Sequence, residues 1–125
     1  MDLRERSLKL DKWAVVGATD KRERYGYKIV KILKEHGYDV FPVNPKLDQV
    51  AGLKCFASLA EIPEQIEVVD LVVNPKTGLK VMSDVIKLGI EYVWLQPGAR
   101  SDELKDFASK NGVNIIEDCI YARLR

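Results

Sequence analysis

The sequence is poor in histidine and cysteine, two residue types that are common in reactive and metal-binding sites. Its 125 residues include one histidine and two cysteines, Cys55 and Cys119, which lie far apart and form no Cys-x-x-Cys pair. This scarcity argues against a structural zinc site, a disulfide framework and a Ser-His-Asp triad. We therefore predict no catalytic residue and no metal ligand, and we expect that the chain is not an enzyme.

A long apolar run and an excess of charge of one sign are also missing. No apolar segment approaches the roughly 20 residues that span a bilayer, and the first five residues are not typical of a signal peptide. With 20 basic and 19 acidic residues, the net charge is +1, which argues against nucleic acid or an anionic membrane as the main partner. We expect a cytoplasmic protein with one domain over residues 1–125.

Short apolar runs alternate with amphipathic segments along the chain. The apolar runs predict five strands, at Lys12–Val16, Tyr38–Val43, Val68–Val73, Ile90–Leu95 and Val113–Ile116. The segments between them predict helices at Tyr25–His36, Ser58–Pro63, Gly78–Leu88 and Ser101–Asn111. Residues 1–10 suit a short helix or an arm. Asp70, inside an apolar run, either pairs with a neighbour or lies at an edge. This alternation predicts an α/β fold, a doubly wound Rossmann-like parallel sheet with the strand order 3-2-1-4-5.

The first predicted strand ends at a glycine and leads through a polar loop into a helix. In α/β domains such a turn binds phosphate, because glycine lets the backbone approach the ligand and the free amides of the helix face the anion. We therefore expect ligand contacts along this turn and at the start of the helix, at Gly17, Ala18, Thr19, Arg24, Tyr25 and Gly26.

The loops after the later strands complete the predicted site, because ligands of parallel sheets bind beyond the carboxyl ends of the strands. These loops contain Asn44, Pro45, Lys46, Asn74, Pro75, Lys76, Gln96, Pro97 and Gly98. Each Asn-Pro or Pro-Gly pair alone is also typical of a plain turn. Their occurrence together at one sheet edge, with lysine after two of the prolines, favours a binding site for an anion.

Two common nucleotide-binding motifs are absent from these loops. The chain has neither Gly-x-Gly-x-x-Gly nor a P-loop sequence. After the second strand, where an NAD-binding domain carries an acid, this chain has Asn44 and then Lys46. Lysine at this place suits a phosphate, so an NADP-binding domain with Lys46 on the 2′-phosphate is one alternative. A protein-interaction module is another.

Several of these segments together resemble the small stand-alone CoA-binding protein family, whose members are similar to the CoA-binding domain of the succinyl-CoA ligase alpha subunit. The resemblance covers about residues 10–120 and is carried by Gly17–Thr19 with Arg24 and Tyr27, Val43–Lys46, Ser58–Pro63 and Val93–Gly98. It implies non-catalytic binding of coenzyme A or an acyl-CoA across the strand ends.

The same resemblance implies roles for individual residues. The turn Gly17–Thr19 and Arg24 would meet phosphates, Lys46 would meet the ADP portion, and the loops after the third and fourth strands would flank adenine and pantetheine. Cys119 ends the fifth strand near this ligand. A mixed disulfide with CoA is one alternative for Cys119, and a small packing residue is the other. The resemblance does not indicate a protein partner.

Overall fold

The computed structural model describes residues 1–125 and contains a five-stranded parallel sheet with a small separate hairpin. In chain order the strands are β1 (Lys12–Val16), β2 (Asp39–Val43), β3 (Gln49–Val50), β4 (Leu53–Lys54), β5 (Val68–Leu71), β6 (Tyr92–Leu95) and β7 (Asn114–Ile116). Strands β3 and β4 form the antiparallel hairpin, and the other five form the sheet. The predicted fold class is confirmed.

Helices lie between the strands and at both ends of the chain. They are α1 (Leu3–Leu8), α2 (Tyr25–Glu35), α3 (Pro75–Lys87), α4 (Asp102–Lys110) and α5 (Ile120–Leu124), with short 3-10 turns at Leu59–Glu61 and Pro97–Ala99. Helix α3 begins three residues before the predicted start, because Asn74 caps it and proline suits its first position. No helix has the length and apolar character needed to cross a bilayer.

The order of the strands differs from the predicted order 3-2-1-4-5. In the labels of the structure, the predicted order is β5-β2-β1-β6-β7. Strand β5, the third predicted strand, instead pairs with β1, so the order in the sheet is β2-β1-β5-β6-β7. The segment that connects β2 to β5 lies on one face of the sheet, where its Leu59 and Ile62 pack with Met82 of α3. Helix α2 lies on the other face, where its Ile29 is buried. Because crossovers are right-handed, a connection on the opposite face carries the chain back past β1. The topological switch point therefore lies between β1 and β5.

Apolar side chains cover both faces of the sheet. Ala14 and Val16 of β1 point into the cluster beneath α3 and α4, and Trp13 and Val15 point into the cluster beneath α2 and α5. Trp13 and Trp94 are both completely buried. Their strands are separated by β5 and are not adjacent, yet their ring centroids lie 5.9 Å apart.

Helix α1 closes one edge of the second cluster through a buried hydrogen bond. The hydroxyl of Ser7 is completely buried and accepts a hydrogen bond from the indole Nε1 of Trp94 at 2.9 Å. The same hydroxyl donates to the carbonyl oxygen of Arg4 at 3.0 Å. Residues 1–10 thus form a docked helix, the first of the two predicted alternatives, and this helix supplies the partner of a core tryptophan.

Removal of the Ser7 hydroxyl is expected to destabilise the protein. Ser7→Ala leaves the buried indole N–H of Trp94 without a partner, which costs about 1–3 kcal/mol. Urea denaturation followed by tryptophan fluorescence measures this loss. Ser83→Ala is the matched control, because the Ser83 hydroxyl makes only a long 3.5 Å bond on α3. Equal stability of Ser7→Ala and wild type would show that the indole bond is not needed.

Candidate functional site

Two cavities lie side by side at the carboxyl ends of the parallel strands. The β1–β2 cavity has a volume of about 490 Å³ and is lined by residues that include Gly17, Asn44, Pro45, Val73, Thr77 and Lys80. The β5–β7 cavity has a volume of about 700 Å³ and is lined by residues that include Tyr25, Val73, Asn74, Gln96, Gly98 and Cys119. Val73 lines both, so the two cavities adjoin across the end of β5.

Two glycines allow the close packing at the end of β1. Gly17 has a φ of +97°, which favours glycine, and a Cβ at this position would collide with the carbonyl of Val72. A Cβ at Gly26 would collide with the carbonyl of Gly17. The turn after β1, the loop after β5 and the start of α2 therefore touch one another through backbone atoms. A larger residue at Gly17 would disturb this packing as well as any ligand contact.

The two Asn-Pro-Lys segments follow β2 and β5, the two neighbours of β1. The Asn44 side chain donates from Nδ2 to the Ala18 carbonyl at 2.8 Å, and its Oδ1 accepts from the Lys46 amide at 2.9 Å. Asn74 uses its Oδ1 to cap α3. The asparagines thus shape the loops. Lys46 and Lys76 are exposed and form no ion pair.

The structure brings together eight of the predicted site residues in the two cavities. The β1–β2 cavity contains Gly17, Asn44 and Pro45. The β5–β7 cavity contains Tyr25, Asn74, Gln96, Pro97 and Gly98. The remaining predicted residues lie close by without lining either cavity, namely Ala18, Thr19, Arg24, Gly26, Lys46, Pro75 and Lys76. Ala18 is completely buried in the core, so only its backbone faces the loops.

Sequence reasoning missed two polar residues on α3. Thr77 and Lys80 line the β1–β2 cavity, and they stand three positions apart in the first turns of the helix. Residues at this spacing share one helix face. The spacing of Thr77 and Lys80 could therefore have identified them, but only with a helix that begins at Pro75 and not at the predicted Gly78.

A completely buried carboxyl group lies behind the wall of the β5–β7 cavity. Asp70, in the central strand β5, accepts a hydrogen bond at Oδ1 from Nε2 of Gln96 at 2.6 Å. Its Oδ2 is the single buried side-chain polar atom without a partner. Burial raises the pKa of Asp70 from 3.8 to about 7, and the bond from Gln96 opposes part of that rise. Asp70 is thus paired with a neighbour, one of the two predicted alternatives.

Asp118 ties both ends of the chain to the edge of this cavity. Its Oδ2 accepts from Nε of Arg4 at 2.8 Å and from Nε of Arg123 at 2.6 Å, and its Oδ1 accepts from the Cys119 amide. Partial burial opposes ionisation, but these hydrogen bonds hold the pKa of Asp118 below its usual range. The contacts fix α5, so that Cys119 and Ala122 line the β5–β7 cavity. No group of three or more histidine, cysteine or carboxylate side chains could hold a metal ion.

Sequence and structure comparisons place the chain in a family of binding domains. The sequence model described as CoA binding domain matches residues 11–125, and the chain belongs to this family. The uncharacterized protein YneT of Bacillus subtilis is 30% identical over 108 residues, which cover 86% of this chain and 80% of that protein. A hypothetical protein from Pyrococcus horikoshii OT3 has a solved structure with a TM-score of 0.90 and 42% identity, covering 97% of this chain and 88% of that one.

A ligase subunit is also similar to this chain. The alpha subunit of the ADP-forming acetate–CoA ligase II of Pyrococcus furiosus is 32% identical over 114 residues, which cover 82% of this chain and 25% of the subunit. The chain therefore spans about a quarter of the length of that subunit and is homologous to its CoA-binding part. The predicted resemblance to the CoA-binding family is confirmed.

The buried carboxyl group is expected to make stability depend on pH. Because the pKa of Asp70 is about 7 in the folded protein and about 3.9 in an unfolded chain, the folded state binds the proton more tightly. The contribution of this proton binding to the free energy of unfolding is thus fully present below about pH 4 and is lost as the pH rises to about 7.

Asp70→Asn removes this titration. Its free energy of unfolding should rise relative to wild type by up to about 1.4 kcal/mol per pH unit between about pH 4 and 7, and then level off. Urea denaturation of both proteins from pH 4.5 to 8.5 measures the difference. A difference that does not change with pH would contradict the raised pKa.

Proposed function

We propose that this chain binds coenzyme A, free or acylated, at the carboxyl edge of its sheet and catalyses no reaction by itself. The observation that carries this proposal is the pair of adjoining cavities, which share Val73 in their walls, in a chain of the CoA binding domain family. Unpaired lysines stand beside the β1–β2 cavity, and apolar side chains make up most of the wall of both cavities.

The chemistry of the two cavities fits the two ends of CoA. The nucleotide end carries phosphates, which suit Thr77 and Lys80 in the β1–β2 cavity and the exposed lysines of the two Asn-Pro-Lys segments. The pantetheine arm is long and largely apolar, which suits the β5–β7 cavity with Val72 and Ala99 in its wall. The ligand would therefore cross the sheet edge from one cavity to the other.

The start of α2 supports a phosphate position between the cavities. Helix α2 begins at Tyr25, directly after the polar loop, and no side chain caps its first turn. The amides of Tyr25 and Gly26 donate no hydrogen bond within the protein, whereas the Tyr27 amide already donates to the Arg24 carbonyl. These two amides are free to donate to phosphate oxygens, and the helix dipole favours a negative charge there. Arg24, exposed at the cap position, adds a positive charge. We place the pyrophosphate of CoA above the Gly17 turn.

A ligand panel is expected to separate CoA from the nicotinamide nucleotides. A ligand at about 100 times its dissociation constant stabilises a protein by about 2.7 kcal/mol, or about 10 °C in Tm for a domain of this size. In a thermal-shift assay, CoA and acetyl-CoA should give such a shift, and NADH and NADPH should give much smaller ones. A preference for NADPH would favour the dinucleotide-binding alternative, and no shift with any nucleotide would favour an interaction module.

Lys46 is expected to act on the 3′-phosphate of CoA. Lys46→Ala should weaken the binding of CoA by about 1 kcal/mol, which is about fivefold in Kd at low salt. The expected loss is small because the lysine is exposed. Dephospho-CoA, which lacks this phosphate, should bind both proteins alike in titration calorimetry. Lys87→Ala is the control, an exposed lysine in the last turn of α3 at the other edge of the sheet.

The two ligands also identify a different role for Lys46. Equal losses for CoA and dephospho-CoA would place the ammonium group at the pyrophosphate. Unchanged affinity for both ligands would contradict any role of Lys46 in binding.

A further inference from the structure

Gln96 is a strongly buried polar side chain in the wall of the β5–β7 cavity, with 5% of its surface exposed. Its Nε2 donates to Oδ1 of Asp70 at 2.6 Å and to the backbone carbonyl of Asp118 at 3.4 Å. The backbone carbonyl of Asp118 can only accept. Oδ1 of Asp70 accepts in the ionised carboxylate and also in the neutral acid, whose proton lies on the unpartnered Oδ2, so both partners require the NH₂ end of the amide. The NH₂ end of Gln96 therefore faces the protein, and the carbonyl oxygen Oε1 faces away from Asp70.

The Oε1 atom of Gln96 is an acceptor without a partner in the protein. Asp70 Oδ2 is the only buried side-chain polar atom that lacks a hydrogen bond, so Oε1 retains exposed surface. The residue lines the β5–β7 cavity, where Val72, Pro97 and Ala99 also contribute to the wall. A mainly apolar wall thus presents a fixed acceptor, and a ligand group that meets it has to donate a hydrogen bond.

The arm of CoA carries such donors. Pantetheine contains two secondary amides, each with one N–H, and a hydroxyl group, whereas the phosphates of CoA offer only acceptors. We infer that Oε1 of Gln96 accepts a hydrogen bond from the pantetheine arm, either from an amide N–H or from the hydroxyl, and that Asp70 is the positioning residue that holds the Gln96 amide in this orientation. This role depends on the proposed function, because the arm of CoA has to lie in the β5–β7 cavity.

The surroundings of Asp70 favour this role over a purely structural one. A carboxyl group in the centre of an apolar sheet destabilises the fold, the more so because Oδ2 has no partner. The only side chain that it hydrogen-bonds is Gln96. Buried polar groups left incompletely paired are uncommon, and each one calls for an explanation. What this carboxyl group does is fix the amide in the cavity wall.

The test is titration calorimetry with CoA and with 3′-phosphoadenosine 5′-diphosphate, the same nucleotide without the arm. Gln96→Met keeps the length of the side chain and removes the amide. It should raise the Kd of CoA about five- to tenfold, the range of a neutral hydrogen bond. The Kd of the truncated nucleotide should stay within about twofold of its value for wild type. Gln65→Met is the matched control. The Gln65 amide donates to the Ile66 and Leu88 carbonyls, which lie near the amino ends of the strands, at the sheet edge opposite the cavity.

Substitutions of Asp70 test the positioning role. Asp70→Asn retains an acceptor for Gln96 and should bind CoA within about twofold of wild type. Asp70→Val removes the acceptor and should weaken CoA as Gln96→Met does, with no further loss in the double variant. Circular dichroism and melting curves show whether each variant is folded, and Asp70→Ser, too short to reach Gln96, replaces the valine variant if that one is not.

Two results would overturn the inferred bond, and a third would overturn the role of Asp70. Unchanged affinity of folded Gln96→Met for CoA would exclude it, as would equal losses for CoA and the truncated nucleotide. Additive losses in the double variant would exclude the positioning role of Asp70. Wild-type protein that binds neither nucleotide would instead refute the proposed function itself, and the inferred bond with it.

Discussion

The close backbone contact at the end of β1 is the constraint on which the rest of this sheet edge depends. Gly17 lies against the Val72 carbonyl, and Gly26 lies against the Gly17 carbonyl, with no room for a Cβ at either glycine. These contacts bring the first turn, the loop after β5 and the start of α2 to one place. Because β2 and β5 flank β1, their loops converge on the same turn. The two cavities form on either side of it and share Val73.

The sequence predicts the fold class well, because its strands are continuous apolar runs buried on both faces. Lys12–Val16 is found as predicted, and Val68–Leu71 is only two residues shorter than the predicted strand. The strand order could not be predicted, since the segment from Asn44 to Glu67 contains no long helix that shows which face it crosses. Strands β3 and β4 have two residues each, too few for any alternation of polar and apolar residues to be visible.

The residue types of the site are easier to predict than their roles. In the sequence, Asn44 and Asn74 suggest ligand contacts. In the structure, their side-chain oxygens accept hydrogen bonds from backbone amides and thereby shape the loops. Gln96 follows a predicted strand, yet its partner Asp70 stands 26 positions earlier. Their meeting depends on the pairing of β5 with β6, in which Asp70 lies opposite Trp94. Such cross-strand proximity follows from register, which a single sequence does not contain.

The side-chain bonds within the loops have a kinetic consequence. Asn44 joins the loop after β2 to the turn after β1, Asn74 fixes the start of α3, and Asp118 holds α5 in place. These bonds are complete in the protein alone, so a ligand that docks at this edge orders few backbone dihedral angles. Association then loses little conformational entropy. For CoA bound as proposed, we expect diffusion and the electrostatic attraction of the exposed lysines to limit the association rate, and not a slow rearrangement of the loops.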